Sequence, residues 1–379
     1  MKFEERPFIA IWETTQACDL VCKHCRAAAR PERDAHELST EEGFALLDSF
    51  ARAGVPLVIL TGGDPAKRPD LVELVRYGAS AGLTMGLTPS ATALVTRELL
   101  TELAQAGLKR LAISIDGLNH NIHDVFRGRP GSFLRSIEIL RGARQAGIST
   151  QVNTTLHPGT IHYLTELSQL MAELDISLWS AFVVVPTGRA TTDLMPNADE
   201  IEEAFELLLK LAQDAPFAIK TTAGPHYRRV ALEKKKKNGK SFSIGTRGKQ
   251  AMWVNEGRGF LFVSHRGAVF PSGFLPIDCG NVRDHDAIEI YTEHATFKLL
   301  RDSNSLEGKC GACEYRNVCG GARARAYSMC GSLMASDPLC PYVPPNYAGP
   351  VDIFKGSTRP TLPMLSTSSC TKGPPVSLA

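Results

Sequence analysis

Long hydrophobic runs are missing from this chain of 379 residues. No continuous apolar stretch approaches the roughly 20 residues that a membrane-spanning helix needs, and residues 1–6 lack the apolar core of a secretory signal. A large charge imbalance is missing too, because the net charge is only +2. These absences argue against a membrane protein and against nucleic acid as the main partner, and they predict a cytoplasmic location.

Cysteine, in contrast, is abundant and clustered. Cytoplasmic thiols stay reduced, so the ten cysteines are not expected to form a disulfide framework. Clustered cysteines in such proteins more often bind metal or carry out redox chemistry. One group has a C-x3-C-x2-C spacing near the amino terminus, and a second group crowds near the carboxyl terminus: Cys18, Cys22 and Cys25, then Cys310, Cys313, Cys319, Cys330 and Cys340. The sequence therefore contains two candidate metal sites.

A strand, a helix and an Ala-Gly pair recur along the first half of the chain. We predict strands at 8–13, 57–60, 83–88, 111–116, 149–155 and 178–185. Helices end at Ala-Gly pairs (53–54, 81–82, 106–107 and 146–147) because glycine readily adopts the left-handed stop conformation. Two helices begin at capping boxes, Ser39 with Glu42 and Asn197 with Glu200. The repeat predicts an α/β fold, a partial (β/α)6 TIM-like barrel with function on the loops after the strands.

The first cysteine group directly follows the first predicted strand. A [4Fe–4S] cluster is normally held by four thiolates. The three local thiolates of Cys18, Cys22 and Cys25 would leave one iron open for a substrate or cofactor. The alternative is a structural zinc site with His24 as the fourth ligand.

This spacing after strand 1 of a βα repeat resembles the radical S-adenosylmethionine (SAM) superfamily. In that family the open iron binds SAM, and the reduced cluster cleaves SAM to a 5′-deoxyadenosyl radical. The segment at 61–65, Thr-Gly-Gly-Asp-Pro, resembles the family's Gly-Gly-Glu-Pro segment, and residues 184–189 are similar to its adenine-contacting stretch. The resemblance implies SAM contacts at Gly62, Gly63, Asp64, Ser114, Asp116, Arg127 and Asn153. Strand-end capping is the structural alternative for the strand residues, and surface solvation is the alternative for Arg127.

The second cysteine group sharpens the resemblance. Cys310, Cys313, Cys319 and Cys340 supply the four thiolates that close one [4Fe–4S] cluster. Residues 313–321 resemble the SPASM/twitch auxiliary-cluster domains. Ser272 stands where a full SPASM domain has a cysteine, so one auxiliary cluster is expected rather than two. A zinc ribbon with four thiolate ligands is the alternative.

The substrate is indicated only by a shorter similarity. Residues 320–327 look like radical SAM enzymes that modify tetrapyrrole side chains in haem biosynthesis. There Arg323 and Arg325 would pair with macrocycle carboxylates, or alternatively lie on a solvated helix. The resemblance implies a radical SAM enzyme that abstracts hydrogen from a tetrapyrrole-like small molecule and takes an electron from a reductant such as flavodoxin or ferredoxin.

Two other functions stay open. A SPASM-type maturase would act on a peptide, but such enzymes usually add an amino-terminal recognition module, and few residues precede strand 1 here. A zinc- or cluster-binding protein without catalytic activity is the alternative from a different class. We predict a core barrel at 6–215, a helical connection at 216–254, an auxiliary-cluster domain at 255–345 and a disordered tail at 346–379.

Overall fold

A nine-stranded sheet forms the centre of the protein. The computed structural model describes residues 2–238 and 254–356. The strands are β1 (Ile9–Thr15), β2 (Leu57–Gly62), β3 (Met85–Leu87), β4 (Arg110–Ser114), β5 (Ser149–Leu156), β6 (Leu178–Val183), β7 (Ala218–Thr222), β8 (Phe260–Val263) and β9 (Val269–Phe270). Their order is β7-β6-β5-β4-β3-β2-β1-β8-β9. All neighbours from β7 to β8 run parallel, and β8 pairs with β9 antiparallel.

The first six strands are those that the sequence predicts, and the α/β barrel class is confirmed. Alternate strand residues are fully buried beneath the helices, as for Trp12 and Trp179. Gly43 on the first helix lies so close to Trp12 that an added Cβ would be 2.5 Å from its ring. The strand residues of opposite parity face the interior of the barrel. That inner face is where polar strand residues become available for binding.

Twelve α-helices surround this sheet within the described residues. They are α1 (Thr40–Arg52), α2 (Leu71–Ser80), α3 (Arg97–Gln105), α4 (His120–Arg127), α5 (Ser132–Gln145), α6 (Leu164–Glu173), α7 (Ala198–Asp214), α8 (Tyr227–Asn238), α9 (Ala287–Glu293), α10 (Ala295–Arg301), α11 (Gly308–Ala312) and α12 (Arg323–Cys330). Both predicted capping boxes form, at Ser39 and at Asn197. The four Ala-Gly pairs end their helices, with each glycine at positive φ.

The sheet is wider than the six strands predicted. β7 lies in the segment assigned to a helical connection, 216–254, and it pairs with β6. β8 belongs to the predicted auxiliary domain, yet it pairs with β1. The carboxyl-terminal region is therefore joined to the barrel through one continuous sheet. Residues 239–253 of the predicted connection lie outside the described residues.

The beginning of the predicted tail is attached to the core. Phe354 N donates to Pro338 O at 2.8 Å, and Ala198 N donates to Phe354 O at 2.9 Å, at the start of α7. The prediction of a tail from residue 346 is therefore wrong for residues 346–356, and 357–379 lie outside the described residues. Among the helices that the structure describes, none is long and apolar enough to span a membrane.

Candidate active site

The three amino-terminal cysteines lie in a loop at the carboxyl end of β1. Leu20 N donates to Cys18 Sγ at 3.3 Å, and Ala29 N donates to Cys25 Sγ at 3.4 Å. Cys18 and Cys22 are buried, and burial raises the pKa of Cys18 to about 11. Amide donors that face the sulfurs suit thiolate ligands, and a bound metal deprotonates such a thiol. We call this segment, residues 18–29, the cysteine loop.

Arg189 holds the cysteine loop from the segment after β6. Its backbone N–H donates to Cys25 O at 2.9 Å, and its side chain donates to Cys22 O and Ala29 O, both at 3.0 Å. Gly188 has φ +62°, and a Cβ there would lie 2.2 Å from a carbonyl oxygen of the loop. No local sequence pattern indicates this role of Arg189. The contact of residues 184–189 with adenine stays a prediction.

Three stacked rings cover one side of the cysteine loop. His24 stacks on Phe126 with ring centroids 4.4 Å apart, and Phe126 stacks on His157 at 3.9 Å. Lys23 N also donates to Phe126 O at 3.0 Å, which joins the loop to α4. Burial, followed by the charge of Arg127, lowers the pKa of His24 to about 3. The His24 imidazole is therefore neutral.

An ion pair beneath the loop brings positive charge to the thiols. Arg127 pairs with Asp116, and its Nη1 lies 3.7 Å from Cys22 Sγ. Burial alone would raise the pKa of Asp116, but the charge of Arg127 holds it well below its usual range. Arg127 is thus no surface residue, and surface solvation does not account for it. Its guanidinium has the geometry to receive a carboxylate, and its contact with SAM stays a prediction.

The two glycines predicted to approach SAM are required by the protein backbone itself. A Cβ at Gly62 would lie 2.3 Å from Thr15 O, and a Cβ at Gly63 would lie 2.4 Å from Ala17 O. The end of β2 therefore touches the end of β1, where the cysteine loop begins. A bare backbone at this point also permits a ligand to approach closely, and that contact stays a prediction.

Asp64 is turned into the protein. Its carboxylate accepts hydrogen bonds from Thr92 Oγ1 (2.7 Å), Ala66 N (3.1 Å) and Ser90 N (3.3 Å). Ser90 Oγ in turn lies 3.2 Å from Cys18 Sγ. Asp64 is fully buried, so its carboxylate acts on the site by fixing Ser90 beside Cys18.

Ser114 and Asn153 lie side by side on the inner face of the barrel. The register of β4 and β5 pairs them directly. Asn153 Oδ1 accepts a hydrogen bond from Gln151 Nε2 at 2.7 Å. Both side chains are half-buried, as strand-end polar groups that face a ligand would be. Their predicted contacts with SAM are not tested by this arrangement.

The predicted auxiliary ligands converge on one cavity. Its lining includes four cysteines and three basic side chains: Cys310, Cys313, Cys319, Cys340, Arg229, Lys309 and Arg316. Backbone amides donate to the sulfurs of Cys310, Cys313 and Cys319, each at 3.4 Å. Burial raises the pKa of Cys313 to about 11 and that of Cys340 to about 12. A site that combines amide donors and nearby cations suits the negative charge of thiolate ligands and a cluster.

Neither cysteine group has the arrangement of a single-ion site. Within residues 2–238 and 254–356, no group of three or more Cys, His, Asp or Glu side chains could hold one metal ion. Zinc draws its ligands to about 2.0–2.3 Å from one centre, whereas a [4Fe–4S] cluster binds each thiolate at a different iron. The choice between a cluster and zinc at the carboxyl-terminal site stays a prediction. Cys279 and Cys330 do not line the auxiliary cavity.

The arginines predicted to face a macrocycle are internal. Arg325 pairs with Asp337 at 2.7 Å and donates to Ala223 O at 2.9 Å and Val184 O at 3.4 Å. Arg323 donates to three backbone carbonyls and approaches Cys310 Sγ at 3.8 Å. Both side chains are buried. The predicted pairing with substrate carboxylates is therefore wrong, and so is the solvated-helix alternative, because every guanidinium nitrogen has a protein acceptor.

Three buried polar atoms around the cysteine loop lack hydrogen-bond partners among the described residues. They are His24 Nδ1, Arg127 Nε and Arg189 Nη2. Buried polar groups are normally satisfied, so each such atom needs an explanation. SAM carries a carboxylate, ribose hydroxyls and adenine nitrogens, which can supply the missing partners. The residues present therefore fit SAM.

The fold and the cysteine loop together define a class of protein, the barrel enzymes built around an iron–sulfur cofactor. The model of the family described as "Radical SAM superfamily" matches residues 12–170. The chain is also 42% identical over 337 residues to "AdoMet-dependent heme synthase" of Oleidesulfovibrio alaskensis, with 88% of this chain and 87% of the relative covered. The chain belongs to the radical SAM superfamily. It is a radical SAM enzyme, whose cofactors are SAM and a [4Fe–4S] cluster.

Two further comparisons extend this result. "PqqA peptide cyclase" of Rhodopseudomonas palustris is 30% identical over 349 residues, covering 89% of this chain and 88% of the relative. The crystal structure of Streptococcus suis SuiB superimposes with a TM-score of 0.69 at 16% identity, covering 89% of this chain and 78% of SuiB. The likeness to SuiB concerns the fold alone.

Proposed function

We propose that this radical SAM enzyme acts on a haem precursor, an iron tetrapyrrole that carries carboxylate side chains. The observation that carries the proposal is the 42% identity to an AdoMet-dependent heme synthase over nearly the whole of both chains. The reaction class is removal or modification of a side chain of the macrocycle by hydrogen abstraction. The wider family resemblance of residues 320–327 points in the same direction.

Cys18, Cys22 and Cys25 would hold the catalytic cluster. When reduced and loaded, the cluster with SAM supplies a 5′-deoxyadenosyl radical. Arg127 binds the SAM carboxylate because it is the charged group beside Cys22, and Asp116 orients it. Ser114 and Asn153, together with the Gly62-Gly63 backbone, bind the polar parts of SAM, while Asp64 keeps the Ser90 loop in place. The protein thus contributes binding, orientation and exclusion of water.

Cys310, Cys313, Cys319 and Cys340 would hold one auxiliary [4Fe–4S] cluster within a region at about 255–345, next to the barrel at about 6–215. A cluster with four protein ligands has no open iron, so its role is to take up an electron from the reaction or to position the product. An external one-electron reductant, such as flavodoxin or ferredoxin, serves the first cluster. No nucleic acid or membrane partner is required.

One anaerobic experiment tests the proposal. The reconstituted protein is mixed with dithionite, SAM and iron coproporphyrin III, which carries four propionates where haem has two propionates and two vinyl groups. We expect 5′-deoxyadenosine and a porphyrin of lower mass, both measured by liquid chromatography with mass spectrometry, and neither with Cys18→Ala. SAM cleavage without any change in the porphyrin would reject the haem precursor as substrate.

A peptide is the second candidate substrate. The relative that favours it is PqqA peptide cyclase, at 30% identity. The same experiment separates the two, because a peptide-modifying enzyme would leave iron coproporphyrin III unchanged and would cross-link or oxidise a short precursor peptide. The lower identity of this relative makes it the weaker candidate.

A further inference from the structure

A row of polar side chains crosses the interior of the barrel on four adjacent strands. The strand register pairs Ser114 with Asn153, Asn153 with Ser180, and Ser180 with Lys220. We call these four residues the lumen row. Two of them are candidate SAM contacts, whereas Lys220 lies three strands away on β7. The lumen row therefore extends from the cofactor side of the barrel to the edge of the sheet.

Lys220 is a cation without a counter-ion among the described residues. It forms no ion pair or side-chain hydrogen bond with the described residues, and its side chain is half-buried. Burial lowers the pKa of Lys220 to about 8, and the charge of Arg110 adds to this effect. Arg110, at the start of β4, also has no ion pair with the described residues, and its buried Nε lacks a hydrogen-bond partner.

Other buried or partly buried basic side chains around the barrel have acceptors within the protein, either carboxylates or, as for Arg189, backbone carbonyls. Arg26 pairs with Glu13, Arg127 with Asp116, Arg229 with Glu202, and Arg325 with Asp337. Desolvating a charge is costly unless a partner compensates for it. Lys220 and Arg110 have no ion pair with the described residues and influence one another on the inner face of the barrel, so they are candidate partners for an anion.

The chemistry of such an anion follows from its position. The SAM carboxylate has a candidate partner in Arg127, which lies beside Cys22 at the carboxyl end of the strands. Arg323 and Arg325, the other basic residues considered for a substrate, have all their donors engaged within the protein. A substrate carboxylate that enters the barrel would meet Lys220 as an available cation.

We propose that Lys220 binds a carboxylate side chain of the substrate inside the barrel, with Arg110 adding positive charge from the start of β4. This inference rests on the proposed function and names the residue that recognises the acidic side chains of the tetrapyrrole. Lys220 contacts the substrate directly, so it is a specificity-determining residue. It distinguishes a porphyrin acid from the corresponding neutral ester.

The test compares two porphyrins and three variants of the reconstituted holoenzyme. Anaerobic absorbance titrations give the Kd of iron coproporphyrin III and of its tetramethyl ester. Lys220→Met should weaken binding of the acid by about 10-fold to 100-fold, the range for a charged hydrogen bond, and leave binding of the ester unchanged. Lys220→Arg should keep most of the affinity for the acid. Lys210→Met, at an exposed position of α7, is the matched control and should bind both as wild type does.

The possible results separate the role of Lys220 from the proposed function. An unchanged Kd for the acid in Lys220→Met, or equal losses for acid and ester, would overturn the role of Lys220 while leaving the proposed function intact. A wild-type enzyme that binds neither porphyrin would overturn the proposed function and, with it, this inference. The Kd of SAM, measured on each variant, should stay at the wild-type value; a loss there would show that the substitution damages the barrel and would reject the specific role.

Discussion

The two cysteine sites of this protein differ in the number of thiols that they bring together. The amino-terminal loop has three cysteines, and its surroundings contain three buried polar atoms without partners among the described residues. The carboxyl-terminal site has four cysteines around one cavity, whose lining includes Arg229 with one such atom, Nε. The amino-terminal site therefore lacks a fourth local thiol, whereas the carboxyl-terminal site has the number that one [4Fe–4S] cluster requires.

The amino-terminal site is open to a ligand for two reasons. It lacks a fourth cysteine, and the surrounding protein holds the cysteine loop in place. Arg189 and Gly188 contact the cysteine loop through its backbone, and the end of β2 contacts the backbone of residues 15–17 just before the loop. The loop is therefore fixed without using the side-chain groups that face the cofactor. Preorganisation of this kind lets binding energy go into orientation of the reacting group.

Cys18→Ala should have the largest effect and tests whether the two cysteine sites are independent. We expect complete loss of 5′-deoxyadenosine formation, because the catalytic cluster loses one of its three ligands. Iron should fall from about eight to about four per chain, since each cluster contains four irons. Iron analysis and chromatography measure both quantities. Cys330→Ala, at a cysteine outside the auxiliary cavity, is the control and should retain all the iron. Loss of all the iron from Cys18→Ala would contradict the independence of the two sites.

The corresponding substitution at the second site, Cys313→Ala, should separate SAM cleavage from product formation. We expect loss of about four irons and loss of product from iron coproporphyrin III. SAM cleavage in the absence of substrate should continue, because the cysteine loop does not contact Cys313. The measurement is again iron content with 5′-deoxyadenosine and porphyrin analysis. Full product formation by this variant would show that the auxiliary site has no part in turnover.

A smaller effect is expected at the buried ion pair beside the auxiliary site. Arg325→Met leaves the Asp337 carboxylate buried and unpaired, which should lower the free energy of unfolding by about 3–5 kcal/mol. Urea unfolding at neutral pH measures the change. Arg144 and Asp175 form a surface ion pair in which each side chain is more than half exposed. Arg144→Met, which breaks this pair, should lower the free energy of unfolding by less than about 1 kcal/mol. Equal costs for the two variants would contradict the structural role of Arg325.

The same pair has a defined pH dependence. Burial would raise the pKa of Asp337, but Arg325 outweighs it and holds the pKa well below its usual range. The contribution of the pair is therefore present above the unfolded pKa of about 3.9 and is lost as the pH falls further towards the folded value. In Asp337→Asn this acid-dependent part of the stability should disappear.

The smallest expected effect is at Arg189. Arg189→Met removes two charged donors to loop carbonyls, which should loosen the cysteine loop by about 1–3 kcal/mol. The catalytic cluster should then lose iron to a chelator faster, while the auxiliary cluster keeps its wild-type rate. Arg141→Met, at an exposed position of α5, is the control. A variant in which both clusters lose iron faster would indicate general destabilisation and reject the local role.

Local signals in the sequence predicted most of the fold. The capping boxes at Ser39 and Asn197 and the Ala-Gly helix ends depend on residues a few positions apart, so they can be identified without tertiary structure. β7 was missed because its sequence, Ala-Ile-Lys-Thr-Thr, lacks the apolar run expected of a buried parallel strand. The half-buried Lys220 that breaks this run faces the barrel interior.

The candidate site was predictable only in part. The spacing of Cys18, Cys22 and Cys25 is local, and the three residues do share one loop. The role of Arg189 depends on a contact 167 residues away in sequence, which no local pattern encodes. Gly62 and Gly63 were predicted to contact SAM, although the close approach of β1 already requires glycine at both positions. Sequence patterns identify such residues without identifying what they approach.

The contacts of Arg325 have a consequence for how this protein is assembled. Its guanidinium lies on α12 and donates to backbone carbonyls at residues 184 and 223, which follow β6 and β7. A nascent chain that stops before α12 would leave these carbonyls without that donor. We therefore expect these two strand ends to reach their final hydrogen bonding only after α12 has been synthesised. Completion of the barrel would then be coupled to synthesis of the carboxyl-terminal cysteine region, within which α12 lies.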